Sequence, residues 1–200
     1  MEIKNIVFDF GGVLVDWNPR YFYKDQNEDE AQMEFFLKNI CSPEWNEKQD
    51  AGRSLAEATN ILLEKFPEHE TMIRYYYDEW EIMLKGSIPE NVKVLHQLKG
   101  KYRLFGLSNW SGETFPTAFK RFPFFQEFEG IVISGDEKMK KPDKEIYHLL
   151  LRRYQISAEN SIFIDDNLVN INVAKEIGFG TVHFNNGTDL EHELQKMNLL

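Results

Sequence analysis

Cysteine is almost missing from this 200-residue chain: Cys41 stands alone, so no internal disulfide can form. That usage fits a reducing compartment, and a cytoplasmic protein is expected. Long apolar runs are missing too; none approaches the ~20 residues that span a bilayer. The first residues read as a strand, not as a basic leader followed by an apolar stretch. No membrane partner is expected. Basic blocks are equally scarce. The net charge is −10, a surface that repels phosphate backbones and disfavours nucleic acid as a partner. The densest basic cluster, Lys138, Lys140 and Lys141, reads on composition as a solvated loop. Several chemical signatures are absent as well. There is no G-x-x-x-x-G-K-[ST] phosphate loop and no G-x-G-x-x-G fingerprint. Ser108 lies between Leu107 and Asn109, without a G-x-S-x-G elbow. His69, His96, His148, His183 and His192 are scattered, with no metal-ligand spacing.

What is present is an ordinary globular composition, 42% hydrophobic and 28% charged, with sixteen Phe, eight Tyr and four Trp. Near the start, an apolar run from Ile3 to Phe8 ends on a carboxylate, Asp9, and Gly11-Gly12 follow. A short β-branched run of this kind reads as a buried strand, and the glycines permit a sharp turn. The pattern of a strand ending in polar residues recurs. Leu104–Leu107 runs into Ser108-Asn109, and Ile162–Ile164 runs into Asp165-Asp166. Ile131–Ile133 and Thr181–Phe184 are further strand candidates, with amphipathic helices between, such as Leu168, Ile171, Ala174 and Ile177 on one face. Alternating strands and helices imply a doubly wound, Rossmann-like parallel sheet, an α/β core whose ligands bind beyond the carboxyl ends of the strands.

Residues 17–86 break this rhythm and carry no convincing strand. Ser54 and Glu57 have capping-box spacing ahead of Leu55, Ala58, Leu62 and Phe66, and Thr188 with Glu191 suggests another such cap for a last helix. So long a connection after one strand is unusual. The expected organisation is a core of residues 1–16 and 87–200 carrying a small inserted α-helical domain, residues 17–86.

Four stretches, in order, resemble the motifs of the haloacid dehalogenase superfamily. They are Asp9-Phe10-Gly11-Gly12-Val13, then Ser108-Asn109, then Lys141-Pro142, then Asp165-Asp166 with Asn170. Within that superfamily the chain looks most like the bacterial sugar phosphatases that include α-glucose-1-phosphate phosphatase. The resemblance implies that residues 17–86 are the cap and that Asp9 is a nucleophile forming an aspartyl-phosphate. It further implies Mg2+ as cofactor, held by Asp166, Asp9 and the Gly11 carbonyl. Asp165 and Asn170 would steady those ligands or their waters. Ser108, the Asn109 amide and Lys141 would bind the phosphate and offset its charge. Asp16, Trp17, Asn18, Arg53 and Trp110, in or near the cap and site loops, are candidates for selecting the substrate. The expected partner is a small phosphorylated metabolite, a sugar phosphate foremost; the oligomeric state is not legible.

One position departs from the family. Most of its phosphatases carry a second aspartate two residues after the nucleophile, as general acid and base, and here that position is Gly11. Sugar 1-phosphates, whose anomeric oxygen leaves readily, would then be favoured substrates, or Asp16 or a cap residue would donate the proton. Two other readings compete: a metal-free 2-haloacid dehalogenase and a non-catalytic phosphate-ligand binding protein. The acidic pair Asp165-Asp166 calls for a cation and so argues for the phosphatase.

Overall fold

The computed structural model describes residues 2–26, 29–185 and 187–200. In chain order the strands are β1 (Asn5–Phe8), β2 (Val15–Trp17), β3 (Leu84–Ser87), β4 (Arg103–Ser108), β5 (Gly130–Ile133), β6 (Ser161–Asp165) and β7 (Gly180–His183). Helices α1 (Arg20–Gln26), α2 (Glu30–Asn39), α3 (Pro43–Asp50), α4 (Leu55–Lys65), α5 (Glu70–Asp78) and α6 (Trp80–Met83) all lie between β2 and β3. Helix α7 (Pro89–Leu98) follows β3, α8 (Phe115–Arg121) follows β4, and α9 (Ser134–Glu137) and α10 (Lys144–Tyr154) follow β5. Helix α11 (Leu168–Ile177) joins β6 to β7, and α12 (Leu190–Lys196) ends the chain.

Five strands pair in parallel in the order β5-β4-β1-β6-β7. Side chains alternate across the pleat, and the packing follows that period. Ile6 and Phe8 join one apolar cluster with Leu95 and Leu98 of α7 and Leu194 of α12. Val7 points the other way, into a cluster with Ile146 and Leu150 of α10 and Ile171 and Ala174 of α11. Both faces of the sheet are therefore covered, which is why its strands read as nearly continuous apolar runs. All five strands expected from the sequence form, each within two residues of its expected bounds.

A third cluster draws only on residues 22–83, including Tyr23, Phe36, Trp45, Leu62, Ile73 and Tyr76. The six-helix segment thus buries its own apolar faces. Its entry and exit were not legible as strands: β2 and β3 form a short antiparallel ribbon, Val15 opposite Ser87. Three residues with mixed polarity, Val15-Asp16-Trp17, give no period to read. Ser54 caps α4 as its spacing predicts, accepting the Glu57 N–H at 3.2 Å. The last helix is capped one residue later than expected. Asp189, not Thr188, accepts the His192 N–H at 3.1 Å, while the Thr188 hydroxyl is turned back to Asn185 and His183.

Candidate active site

The chain order explains where the site forms. From β1 the chain crosses to β4 and β5 on one side, and later returns to β6 and β7 on the other. The crevice at this switch, beyond the ends of β1, β4 and β6, is where a doubly wound sheet binds ligands. Asp9 follows β1, Ser108 ends β4, and Asp165 ends β6. The parallel register sets Phe8 opposite both Gly106 and Ile164, so these ends lie side by side.

The turn after β1 is tight. The Phe10 carbonyl accepts the N–H groups of Val13, Leu14 and Val15 at 3.2, 2.8 and 2.9 Å. Gly12 sits at φ +71°, and a Cβ there would run into the Asp166 carboxylate. Only glycine allows that approach without strain. Asp9 is buried, and its Oδ1 accepts the Phe10 N–H at 2.7 Å and the Ser108 hydroxyl at 2.7 Å.

Lys141 lies at the centre. It is almost wholly buried, 1% exposed, and its Nζ is 2.6 Å from Asp165 Oδ2 and 3.0 Å from Asp9 Oδ1. Its loop is fastened to the end of β4 by Asn109, which donates to the Lys141 carbonyl at 2.9 Å and accepts the Lys141 N–H at 2.8 Å. The exposed neighbour Lys138 stays outside, and Lys140 pairs with Glu47 of α3 at 3.0 Å. Asp165 is saturated: besides Lys141 it accepts the Asn167 N–H at 2.8 Å and the Asn170 amide at 3.0 and 3.1 Å. Asn167, not either aspartate, caps α11. Helix capping therefore does not account for the acidic pair.

The Asp166 carboxylate accepts no side-chain donor among the described residues. One carboxylate oxygen each from Asp9, Asp165 and Asp166 lies within 4.8 Å of the others. Three carboxylates face a single buried ammonium, leaving an excess of negative charge in a poorly solvated place. Burial is the main force that holds the Asp9 carboxyl above its ordinary pKa, with Asp165 and Asp166 adding to it against Lys141 and Ser108. Desolvation and then Asp165 raise Asp166 as well. Burial opposes the Lys141 charge, yet Asp165 and Asp9 outweigh it and keep that ammonium above the usual lysine value. This oxygen set, hard and anionic, could hold a divalent cation.

Above this cluster is a cavity of about 200 Å3 bordered by Gly11 and Asn109 on the core side. Trp17, Trp80, Trp110 and Tyr77 supply apolar walls, and Asn46, Asp50, Ser111 and Thr114 supply polar ones. Of the substrate-selecting candidates, Trp17 and Trp110 reach this cavity. The Trp110 indole donates to the Thr114 hydroxyl at 3.0 Å, whereas Trp17 Nε1 is buried with no acceptor among the described residues. Asp16, Asn18 and Arg53 do not border it. Both Asp16 oxygens accept the Tyr21 hydroxyl, each at 2.9 Å, and Asn18 Oδ1 accepts the Arg20 N–H at 3.0 Å. Arg53 is spent inside the helical segment on Gln49, at 2.8 Å, and on the Trp45 carbonyl, at 2.9 Å. The sequence reading missed Asn46 and Asp50. Their spacing, one helical turn apart on α3 just before the Ser54 cap, was the available signal.

Against known proteins, a family model described as "Haloacid dehalogenase-like hydrolase" matches residues 6–184. A sesquiterpene phosphatase of Aspergillus oryzae is 24% identical, over 97% of this chain and 96% of its own length. A D-ribitol-5-phosphate phosphatase of Bacteroides thetaiotaomicron is also 24% identical, over 96% of this chain and 97% of its own. A drimenol cyclase of Aspergillus calidoustus matches at 24% identity over 96% of this chain, but the chain spans only 36% of that protein's length. The crystal structure of a HAD family enzyme from Bacteroides thetaiotaomicron, in complex with magnesium and inorganic phosphate, superposes with a TM-score of 0.72 at 26% identity. It covers 96% of this chain and 98% of its own. With residues 6–184 accounted for and the parallel sheet in place, the chain belongs to the haloacid dehalogenase-like hydrolases.

Proposed function

We propose that this protein is a Mg2+-dependent phosphatase of a small phosphorylated metabolite, a sugar phosphate foremost, acting through an aspartyl-phosphate on Asp9. The observation that carries the reading is the meeting of Asp9, Ser108, Lys141, Asp165 and Asp166 at one sheet edge, beneath a cavity that takes in Gly11 and Asn109. Asp9, Asp166 and the Gly11 carbonyl would hold the ion, with Asp165 and Asn170 steadying the arrangement. An ion held there would supply Lewis-acid polarisation and charge neutralisation at the phosphoryl oxygens. Asp9 attacks phosphorus in line. Lys141, held between Asp9 and Asp165, keeps the nucleophile oriented and faces the equatorial oxygens. The Ser108 hydroxyl, which donates to Asp9, can turn its proton to the incoming phosphate, and the Asn109 amide adds a second donor.

Residues 17–86 act as the cap that closes over the leaving group. The cavity, about 200 Å3, is of a size for a small metabolite. Indole walls stack on the apolar face of a sugar, and Asn46, Asp50 and Thr114 can exchange hydrogen bonds with its hydroxyls. The curated D-ribitol-5-phosphate phosphatase is in keeping with such a substrate. Sugar 1-phosphates head the list, because Gly11 offers no acid and an anomeric oxygen carries negative charge well.

The test is a panel of hexose, pentose and alditol phosphates with haloacids alongside, assayed with Mg2+ and with chelator. Phosphate release that depends on Mg2+ is expected. Metal-independent release of halide would transfer the chain to dehalogenase chemistry, and ligand binding without turnover would make it a binding protein.

A further inference from the structure

Asp50 ends α3 and borders the same cavity as Gly11 and Asn109. The end of α3 and the turn that follows it are pressed against the core at three points. A Cβ on Gly52 would lie 2.9 Å from the Gly135 carbonyl. Glu113, in the loop before α8, accepts the Leu55 N–H at 2.9 Å, and Lys140 holds Glu47 at 3.0 Å. This turn therefore places a cap carboxyl over the core site and fixes it there. We propose that Asp50 is the general acid and base of this enzyme, donating the proton to the leaving oxygen that a side chain at Gly11 cannot supply.

The proposal rests on the phosphatase reading and extends it, since with such an acid even leaving groups poorer than an anomeric oxygen come within range. In the first half-reaction, Asp9 forms its bond to phosphorus as the ester P–O bond breaks. The Asp50 proton goes to the departing oxygen, which leaves as the alcohol. In the second, a water oxygen bonds to phosphorus, the Asp9–phosphorus bond breaks, and the water proton returns to the Asp50 carboxylate. Charge and protons balance over the cycle.

Asp16, the nearest acid in sequence to the nucleophile, is engaged by the Tyr21 hydroxyl and does not border the cavity. The charged groups acting on Asp50 are Glu47 of its own helix and Lys140 of the core, and Tyr76 and Tyr77 of α5 feel its charge. Asp9 responds instead to Lys141, Asp165 and Asp166. The two carboxyls thus sit in separate electrostatic environments, and Asp50 borders the same cavity as Gly11 and Asn109, which neighbour Asp9 and Ser108 in the chain. Burial, foremost, pushes Asp50 up to about 7, with Glu47 adding and Lys140 and the Ser111 N–H opposing. An acid so placed is protonated in part at neutral pH, as a proton donor must be.

The experiment compares the wild type with Asp50→Asn on phosphate esters of graded leaving-group acidity, from 4-nitrophenyl to alkyl and sugar 6-phosphates, with Mg2+ present. Formation of the aspartyl-phosphate is followed by rapid quench. General acid catalysis is worth roughly 10²–10⁴-fold, so that loss is expected with alkyl leaving groups and less than tenfold with 4-nitrophenyl. With alkyl esters the wild-type kcat should fall above about pH 7, a limb that Asp50→Asn should lack. Asp50→Glu, which keeps an acid, should recover part of the alkyl rate, and thermal unfolding establishes that each variant folds. An equal loss across the series, a change confined to KM, or a steepened dependence in Asp16→Asn alone would overturn the assignment. Absence of Mg2+-dependent turnover in the wild type would instead overturn the phosphatase reading itself.

Discussion

Replacing Asp50 by Asn should make the protein more stable at pH 8 while making it a worse catalyst. The reasoning begins with a carboxyl whose pKa rises from 3.8 to about 7 on folding, chiefly through burial. A raised carboxyl favours the folded state only while it is protonated. Its contribution is intact below the unfolded value, is lost progressively as pH climbs toward about 7, and is gone above. At 1.36 kcal/mol per unit, about three units amount to about 4 kcal/mol at most, a sizeable part of the 5–15 kcal/mol of a typical domain. Asparagine keeps the shape and an oxygen acceptor toward the Ser111 N–H, but cannot ionise. Urea unfolding in chelator should show Asp50→Asn more stable than wild type by about 1–4 kcal/mol at pH 8 and nearly equal at pH 4. For a chain of this length each kcal/mol moves Tm by about 2–4 °C. A variant no more stable than wild type at pH 8, or one with the same difference at both pH values, would refute the claim that burial makes this carboxylate costly.

Asp9→Asn should fold normally and lose turnover entirely, since an amide cannot form the phosphoryl ester; steady-state activity in protein shown free of deamidation by mass spectrometry would count against covalent catalysis. Asp166→Ala should weaken Mg2+ binding and activity together by calorimetry and assay, with Asn170→Ala doing less, because Asn170 reaches the site only through Asp165. Lys141→Met should cost about 3–5 kcal/mol in chelator, the usual penalty for stripping a partner from buried charges; a loss below about 1 kcal/mol would mean that Asp9 and Asp165 do not depend on it. Burial foremost raises Asp9 to about 7, so the cost of Lys141→Met should grow between pH 6 and 9 as that partner ionises; and because the Lys141 pKa is itself raised on folding, its contribution should decline only as pH rises past the ordinary lysine value.

The core was legible because a parallel sheet covered on both faces writes itself into the sequence as short apolar runs, and because three of those runs end on polar residues that meet in one crevice. Asp9, Ser108 and Asp165 are readable at strand ends without knowing which strands pair, since all parallel strands present that end to the same crevice. Lys141 was harder. Its neighbours are lysines too, Lys138 exposed and Lys140 half-buried against Glu47, and only tertiary packing tells them apart. The cap half of the site was not legible. Asp50 lies 41 positions from Asp9 and is brought over the cavity by the docking of one turn, through contacts of Gly52, Glu113 and Lys140 that no local period announces. Arg53 illustrates the opposite error. A cation near the cap turn looks like a substrate-selecting residue, yet Arg53 is directed to Gln49 and the Trp45 carbonyl and does not border the cavity.

These differences in legibility follow a division of labour within the site. The core contributes fixed charges whose positions are over-determined: Lys141 bridges two carboxylates, Asn109 clamps the Lys141 backbone, and Asn170 and Asn167 fill Asp165. Such a cluster cannot tolerate change at one member without leaving another unpaired in a poorly solvated place. The cap wall is of another kind. Asn46, Tyr77 and Gln49 form a chain of neutral hydrogen bonds at 3.1 and 2.7 Å, and the indoles of Trp80 and Trp110 meet edge to face at 6.0 Å. Substitution there costs packing or one hydrogen bond, not an orphaned charge. On the proposed phosphatase reading, the helical segment can therefore change which ester is accepted at modest cost, whereas the charged cluster at the strand ends decides whether any ester is hydrolysed. Asp50 is the exception: it is the cap residue whose charge matters, and the one whose removal should trade activity for stability.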